Sequence, residues 1–508
     1  MKYTLLSLCL GAVTALIPTQ LKAEEERPNI IVIMADDLGY NDLGSYGCKD
    51  IPTPHIDKLA KEGVRFTSGY VTWPMCGPSR AGFLTGKHQS KFGHYSNISA
   101  PFNPDQGLPM MDTIASLLQK LGYVTGGVGK WHMGATNDHH PNSMGFDDWY
   151  GFLGGGLKYF PLDHPVYNGR LAKLKKPMGK KQLQHTMPLI HNDRPVEWDQ
   201  YLTRELTDAG FNFLDKYTSQ KDSGQRKPFF LFMSYNAPHL DLEAPEETIA
   251  KFPEDIMTII PGVKPKARSI YGAMVYEMDE GIGRLLDKVE ALGIAENTII
   301  WFLSDNGGMK RTSDNRPLKG AKGSSYEGGI RVPMLVKWPG KTPVGVVMDK
   351  PVTSLDIGAT AIAMAGGDPV AAGLHGKDVR PYITGQSTEA PHDVLYWHTG
   401  KSSTENGVIR EGDYKLIFKG DKKEIELYNL KEDLGEATNI ASSHPERVQA
   451  MVARLKEWNK DRKPNLWSQS EVIQYAEYEW LKGSMHYGPS DKGLGDDSVR
   501  MKKNKSQK

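Results

Sequence analysis

Three stretches of the chain are apolar without interruption, and each ends in polar side chains. Asn29-Ile30-Ile31-Val32-Ile33-Met34-Ala35 runs into Asp36-Asp37. Phe229-Phe230-Leu231-Phe232-Met233 runs into Ser234-Tyr235-Asn236-Ala237-Pro238-His239, and Asn297-Thr298-Ile299-Ile300-Trp301-Phe302-Leu303 into Ser304-Asp305-Asn306. Because polar residues do not alternate with apolar ones, these segments read as strands buried on both faces, which calls for a central sheet covered by helices. Between them the clearest helical spacing falls over 267–292, with Tyr271, Met274, Val275, Met278, Ile282, Leu285 and Val289 on one stripe. Those methionines belong to a core face. From about residue 386 the pattern changes to short strands, Val394–Trp397, Gly407–Arg410, Tyr414–Phe418 and Ile425–Tyr428, followed by a helix near 444–460. The expected fold is α/β, a large central sheet flanked by helices, followed by a smaller C-terminal part of short strands and a helix.

Length and charge narrow the function classes. The 508 residues exceed one small module, and 62 Lys plus Arg against 61 Asp plus Glu leave no global field for nucleic acid or an anionic membrane. Anion recognition must therefore be local. Lys2, an apolar run from Leu5 to Ile17 and the small-residue site Leu21-Lys22-Ala23 read as an export signal over 1–23. Pro18 breaks the run short of a membrane span, and Leu8 before Cys9 is larger than a lipoprotein site wants. The reading divides the chain into this signal, a main domain over 24–385, a C-terminal α+β subdomain over 386–485 and a flexible, Gly-, Asp-, Lys- and Ser-rich tail over 486–508. Export places the protein in the periplasm or outside the cell. Cys48 and Cys76 remain after the signal, and a disulfide between them is the first reading for an exported chain. Against it, Cys48 sits in the loop-like GSYGCKD and Cys76 in WPMCGPSRAGFLTG, ahead of a run that can be helical.

In open α/β sheets ligands bind beyond the carboxyl ends of the strands, and here those ends carry carboxylates, an amide and an imidazole. Asp36, Asp37, Asp305 and Asn306 come from two distant segments. Packed together they repel, and a cation is the usual remedy. All are hard oxygen donors, which favours calcium or magnesium over zinc. Each pair taken alone also suits a turn, Asp-Asn-Gly-Gly above all. Arg80 follows Cys76 by four positions and so shares its face on a helix. In Gly129-Lys130-Trp131-His132-Met133-Gly134, Lys130 and His132 are two apart and point the same way if that segment is extended. Lys322 lies in a glycine-rich loop that permits close approach to a ligand. A metal with Arg80, Lys130, His132, His239 and Lys322 makes a pocket for a small tetrahedral oxyanion, so a phosphate or sulfate ester is the natural substrate class.

CGPSRAGFLTG at 76–86 resembles the signature of the formylglycine-dependent (type I) sulfatases. RPNIIVIMADDLG at 27–39, VGKWHMG at 128–134, Pro238-His239, LSDNGG at 303–308 and KGSSYEGGIRVP at 322–333 resemble that family in order and spacing. The resemblance spans about residues 27 to 465 and implies the alkaline-phosphatase-like fold, with a large mixed central sheet flanked by helices and a smaller C-terminal antiparallel-sheet subdomain. It implies that a maturation enzyme oxidises Cys76 to formylglycine, which would explain an unpartnered Cys48. One hydroxyl of the hydrated aldehyde would attack sulfur in line as the alcohol leaves, and loss of the proton of the other would expel sulfate and restore the aldehyde. It further implies that Asp36, Asp37, Asp305, Asn306 and the oxygen at position 76 hold one calcium, magnesium being the weaker candidate. In the same scheme Arg80 holds the nucleophile, Lys130 and Lys322 neutralise sulfate oxygens, His132 serves the diol, and His239 is the general acid for the leaving oxygen.

Some features depart from that pattern or lie outside it. Lys319 competes with Lys322, which we prefer for its register with Tyr-Glu-Gly-Gly. A sulfate contact that the family often takes between the Lys-Trp-His block and the third strand has no match, although Gly154-Gly155-Gly156 marks a loop there. Asp241 and Glu243 are either substrate contacts or an exposed acidic loop, and His398 is a candidate at the pocket edge. The insertion over 155–200 carries Tyr159, Phe160, His164, Tyr167, Arg170, Lys173, Lys175, Lys176, Lys180, Lys181, His185, His191, Arg194 and Trp198. It reads either as a loop that stacks aromatics on sugar rings and attracts further sulfates, or as a solvated excursion. The implied substrate is thus a sulfated carbohydrate, with neither nucleic acid nor stable membrane insertion. A phosphate or phosphonate ester hydrolase of the same superfamily, and a non-catalytic carbohydrate-binding protein with unmatured Cys76, are the alternatives.

Overall fold

The computed structural model describes residues 27–98, 105–167, 187–219, 227–398, 406–420 and 422–467. The export segment, the tail and the basic cluster from Lys173 to Lys181 lie outside them. Among the described residues the strands are β1 (Asn29–Ala35), β2 (Val64–Phe66), β3 (Gly69–Tyr70), β4 (Val124–Lys130), β5 (Asp148–Phe152), β6 (Ile190–His191), β7 (Arg194–Pro195) and β8 (Phe229–Ser234). They continue with β9 (Thr298–Ser304), β10 (Met334–Lys337), β11 (Val346–Met348), β12 (Val352–Thr353), β13 (Val394–His398), β14 (Gly407–Glu411), β15 (Tyr414–Lys419) and β16 (Glu424–Asn429).

Ten of these form one sheet in the order β11-β2-β10-β9-β1-β8-β4-β5-β6-β7, while β3 pairs with β12 separately. The centre, β9-β1-β8-β4-β5, is parallel, and β10 joins antiparallel to β9, so the sheet is mixed. Ile30, Val32 and Met34 face one apolar core, Ile31, Ile33 and Ala35 the other. Burial on both sides is the physical reason β1 is apolar at every position. The helix Pro265–Ala291 covers one face, opening on a proline whose missing N–H costs nothing at a helix start. All seven residues of its expected stripe are buried.

β4 is a central strand built largely without apolar side chains, Val-Thr-Gly-Gly-Val-Gly-Lys. A Cβ on Gly126 would meet the Phe213 ring at 2.1 Å, and one on Gly127 would meet Trp149 at 2.4 Å. Neighbouring rings supply the volume that β4 lacks, so glycine is required where the apolar pattern is silent.

The C-terminal sheet runs β13-β14-β15-β16, antiparallel throughout. Trp397, Val408, Ile417 and Tyr428 pack on Tyr70 and Ile330 of the main sheet's surroundings. The opposite face, Ile409, Leu416 and Leu427, meets Met451 and Leu455 of the helix Pro445–Asn459.

Candidate active site

Strand register brings the polar ends together. Ala35 pairs with Ser304 and Met34 with Ser234, while Gly129 also pairs with Ser234, so β1, β9, β8 and β4 stop nearly level. Asp36-Asp37, Asp305-Asn306, the loop to His239 and Lys130 therefore emerge at one edge. The helix Cys76–Thr85 points its first residue at this edge, and Arg80 follows one turn later. Asp37 and His132 both adopt positive φ, 65° and 64°, a region costly for residues with a Cβ. Lys130 ends β4 and His132 turns into the left-handed region, so the expected extended Lys-Trp-His segment is corrected to a strand end followed by a tight turn. His132 lies near the Lys130, Arg80 and Asp36 charges all the same.

Distances within the cleft are short. Cys76 Sγ lies 3.5 Å from Asp36 Oδ1, 3.9 Å from Asp37 Oδ1 and 3.0 Å from Lys322 Nζ. Lys322 Nζ also donates to Asp37 at 2.7 Å, and Lys130 Nζ lies 2.5 Å from Asp36 Oδ2. Arg80 Nε donates to Asp305 Oδ2 at 2.8 Å, while its Nη1 reaches Ser234 Oγ at 2.5 Å and the Lys130 carbonyl at 3.3 Å. His239 Nδ1 contacts the Leu240 carbonyl at 2.5 Å, leaving Nε2 3.8 Å from Asp37 Oδ2. Asn306 Nδ2 donates to Asp37 Oδ1 at 2.7 Å.

Burial sets the electrostatics. It pushes the Cys76 thiol up to about 12, against the opposing pull of Lys130 and Lys322. An unmodified thiol here is protonated at neutral pH and is a poor nucleophile. Burial also resists ionisation of Asp36, yet the charges of Lys130, His239, Arg80 and Lys322 hold its carboxyl well below the usual range. Burial and the Asp36 charge push Asp305 up. His239 is lowered to about 4, chiefly by burial, and His132 is lowered for the same reason with Lys130 and Arg80 adding to it.

The donor set fits a hard cation. Ligand atoms of Asp36, Asp37, Cys76 and Asp305 lie within 4.8 Å of one another. Asn306 Oδ1 is a buried acceptor with no hydrogen-bond partner among the described residues, an uncompensated cost unless something positive meets it. An oxygen-rich, carboxylate-dominated set of this kind suits calcium or magnesium.

Several sequence candidates lie elsewhere. Lys319 donates to the Glu436 carbonyl at 2.9 Å and lies over the Tyr326 and Tyr428 rings, away from the cleft. His398 is buried against Trp73, Tyr95 and Arg462, which removes it from the pocket edge. Cys48 and Cys76 are both free thiols, and Cys48 lies 3.1 Å from Asp50 and 3.7 Å from Arg268. Asp241 and Glu243 grip Lys158 at 2.5 and 2.9 Å instead of standing free in a loop. In the insertion, Tyr159, Phe160 and Tyr167 are core residues, which corrects their expected role as sugar-stacking platforms. The Tyr159 hydroxyl donates to the carbonyls of Asn236 and His239 at 2.8 and 2.9 Å and so braces the His239 loop. Sequence reasoning missed Lys158 and the Ser234 contact to Arg80, and it did not foresee the bracing role of Tyr159. Only Ser234 had a readable signal, its place at a strand end beside the others.

Comparison with known proteins agrees with this geometry. Residues 28–367 match the sulfatase family model, and residues 321–479 match the model for the C-terminal part of N-sulphoglucosamine sulphohydrolase. Human arylsulfatase G is 32% identical over 431 residues, 78% of this chain and 77% of that protein. The uncharacterized sulfatase YdeN of Escherichia coli K12 is 29% identical over 539 residues, 88% of each chain. The crystal structure of Ps i-CgsB in complex with k-i-k-neocarrahexaose superposes with a TM-score of 0.77 at 38% identity, over 88% of this chain and 96% of that one. With the strand-end carboxylates, the Cys76 helix and the mixed sheet in place, the chain belongs to the sulfatase family of the alkaline-phosphatase-like superfamily and is a sulfuric ester hydrolase.

Proposed function

We propose that this enzyme removes sulfate from a sulfated carbohydrate, a polysaccharide or its oligosaccharides, after Cys76 is oxidised to formylglycine. The observation that carries the reading is the setting of Cys76, a buried, protonated thiol held among Lys322, Asp36 and Asp37 at the start of a helix. As a thiol it does little, whereas an oxygen nucleophile at the same place is surrounded by everything sulfuryl transfer needs. The sugar class draws on Ps i-CgsB, whose structure was solved with k-i-k-neocarrahexaose. The enzyme acts after export to the periplasm or beyond and depends on a formylglycine-generating partner. A catalytic part over 24–385 with a C-terminal part over 386–485 completes the reading.

Asp36, Asp37, Asp305, Asn306 and the oxygen at position 76 would hold one calcium, magnesium being the weaker candidate. When bound, such an ion supplies Lewis-acid polarisation of sulfate and of the nucleophile. The chain's own groups do the rest. Arg80 is anchored through Nε and Nη1, and its buried Nη2, 3.8 Å from Asp36 and without a hydrogen-bond partner among the described residues, is available to hold the nucleophilic oxygen. The ammonium groups of Lys130 and Lys322 flank the place where sulfate oxygens bear charge. Nδ1 of His132 is buried without a hydrogen-bond partner among the described residues, and His132 would serve the diol formed at residue 76. His239 donates its Nδ1–H to the Leu240 carbonyl, so Nε2 can protonate the leaving sugar oxygen only from the imidazolium, the form that the Asp36 and Asp37 charges favour against burial.

A panel of defined sulfated oligosaccharides, with Cys76→Ser as control, tests this: wild type should release sulfate and the variant should not. Matched aryl sulfate, phosphate monoester and phosphodiester test the reaction class. Faster phosphate or phosphonate turnover would replace the sulfate reading, and an intact thiol at Cys76 in protein from its native host would replace catalysis with carbohydrate binding.

A further inference from the structure

A second cavity, about 380 Å³, opens where the C-terminal sheet meets the main domain, lined among others by Thr72, His88, Lys91, His375, His392 and Trp458. None of the cleft residues lines it. His88 follows by three residues the helix Cys76–Thr85, which is about 15 Å long, so it stands beyond the end of that helix opposite Cys76. Junctions between domains are common places for ligand pockets, and the volume falls in the range of a small-ligand site.

Its polar lining favours a ligand rich in acceptors. His88 is 6% exposed, and burial lowers it to about 3, so its ring is neutral. Its Nδ1 lies 3.3 Å from the Ser90 N–H, which donates to it, and 2.8 Å from the Ser90 hydroxyl; with both Ser90 groups donating, the ring hydrogen sits on Nε2. That Nε2–H is buried and has no hydrogen-bond partner among the described residues; the Tyr396 carbonyl lies near it without meeting hydrogen-bond geometry. On the rim His375 Nδ1 accepts the His88 N–H at 3.0 Å, so its own hydrogen also sits on Nε2. Lys91 adds a positive charge, tied at 3.0 Å to the Trp458 carbonyl and only loosely, at 3.6 Å, to the exposed Asp461. His392 Nε2 is engaged by Asp356 at 2.8 and 2.9 Å, leaving Nδ1 to accept from a hydroxyl. Trp458, stacked with Tyr396 at 5.1 Å, forms an aromatic wall. Two imidazole N–H donors, an ammonium, one acceptor and a flat wall match a ring that carries both an anionic group and hydroxyls.

We infer that this cavity is a second, non-catalytic binding site for a sulfated sugar ring. The identity of the ring rests on the proposed function; the chemistry of the site does not. The test is calorimetric titration of the non-turning-over Cys76→Ala enzyme with galactose 6-sulfate, galactose and inorganic sulfate. Two binding events are expected with the sulfated sugar, one of which weakens at least tenfold in His375→Ala and in Lys91→Met. In the wild-type background these two variants should keep aryl sulfate turnover within twofold. Binding that both variants leave intact, no binding at all, or inorganic sulfate binding as tightly as the sugar sulfate would overturn the inference. If wild type releases no sulfate from any sugar while one event persists and is lost in the variants, the cavity stands and the substrate reading falls.

Discussion

At the residue scale, the proposed function makes maturation of Cys76 the controlling event. Activity should track the fraction of Cys76 converted to formylglycine, proportionally across preparations, as read by mass spectrometry of the tryptic peptide beside turnover. Activity at full thiol occupancy would refute the link. His239→Ala should lower kcat on a sugar sulfate by about 10²- to 10⁴-fold, the usual worth of a general acid. An aryl sulfate, whose phenolate departs without a proton, should lose much less, and equal losses would remove the acid role. Cys76, Arg80, the two carboxylate pairs and His239 were legible because motif spacing and strand ends place them. Tyr159 and Lys158 were not, since an aromatic or a lysine in an insertion has the same local signature whether it braces a loop or faces solvent.

At the level of elements, the C-terminal sheet is fastened to the catalytic loops by buried charge. Lys415 on β15, fully buried, sits 2.8 Å from both Glu327 and Glu436. Glu327 also accepts from Tyr70 at 2.6 Å and lies 3.2 Å from Arg331. The one-turn helix Glu327–Ile330 in turn holds Gly307 through the Gly329 carbonyl at 3.0 Å, beside Asn306. Lys415→Met leaves two carboxylates short of a counter-charge and should cost about 3–5 kcal/mol in denaturant unfolding. Adding Glu436→Gln should recover part of that loss, and a single variant as stable as wild type would show that the pairs contribute nothing. The strands around this latch were readable from apolar runs. β4 was harder to read, because its glycines accommodate rings from Phe213 and Trp149 that are distant in sequence.

For the whole molecule, acid should be destabilising well above the carboxylate range. His94 and His140 are fully buried, and burial lowers them to about 3 and about 4 from an ordinary 6.5. Above pH 6.5 both folded and unfolded chains leave them neutral. Below it the unfolded chain binds protons first, so stability falls as pH drops from 6.5 toward about 3, by roughly 1.4 kcal/mol per pH unit for each histidine at most. Urea midpoints at pH 7, 6, 5 and 4 check the slope; a flat profile would mean that these rings charge freely in the native state. Calcium at a hundred times its dissociation constant should add about 2.7 kcal/mol if it binds only the folded chain. A melting temperature indifferent to calcium and to chelator would count against the proposed ion.

By itself the amino-acid order determined the α/β class, the long helix, the short C-terminal strands and the short list of reactive groups. Those features follow from periodicity and from fixed spacing along a strand end or a helix face, which are local properties. Tertiary structure decided the competition between Lys322 and Lys319, the withdrawal of His398 and the insertion aromatics into the core, and the unmet Asn306 oxygen among three carboxylates. Each of these depends on which distant backbone comes alongside, so no window of sequence contains the answer.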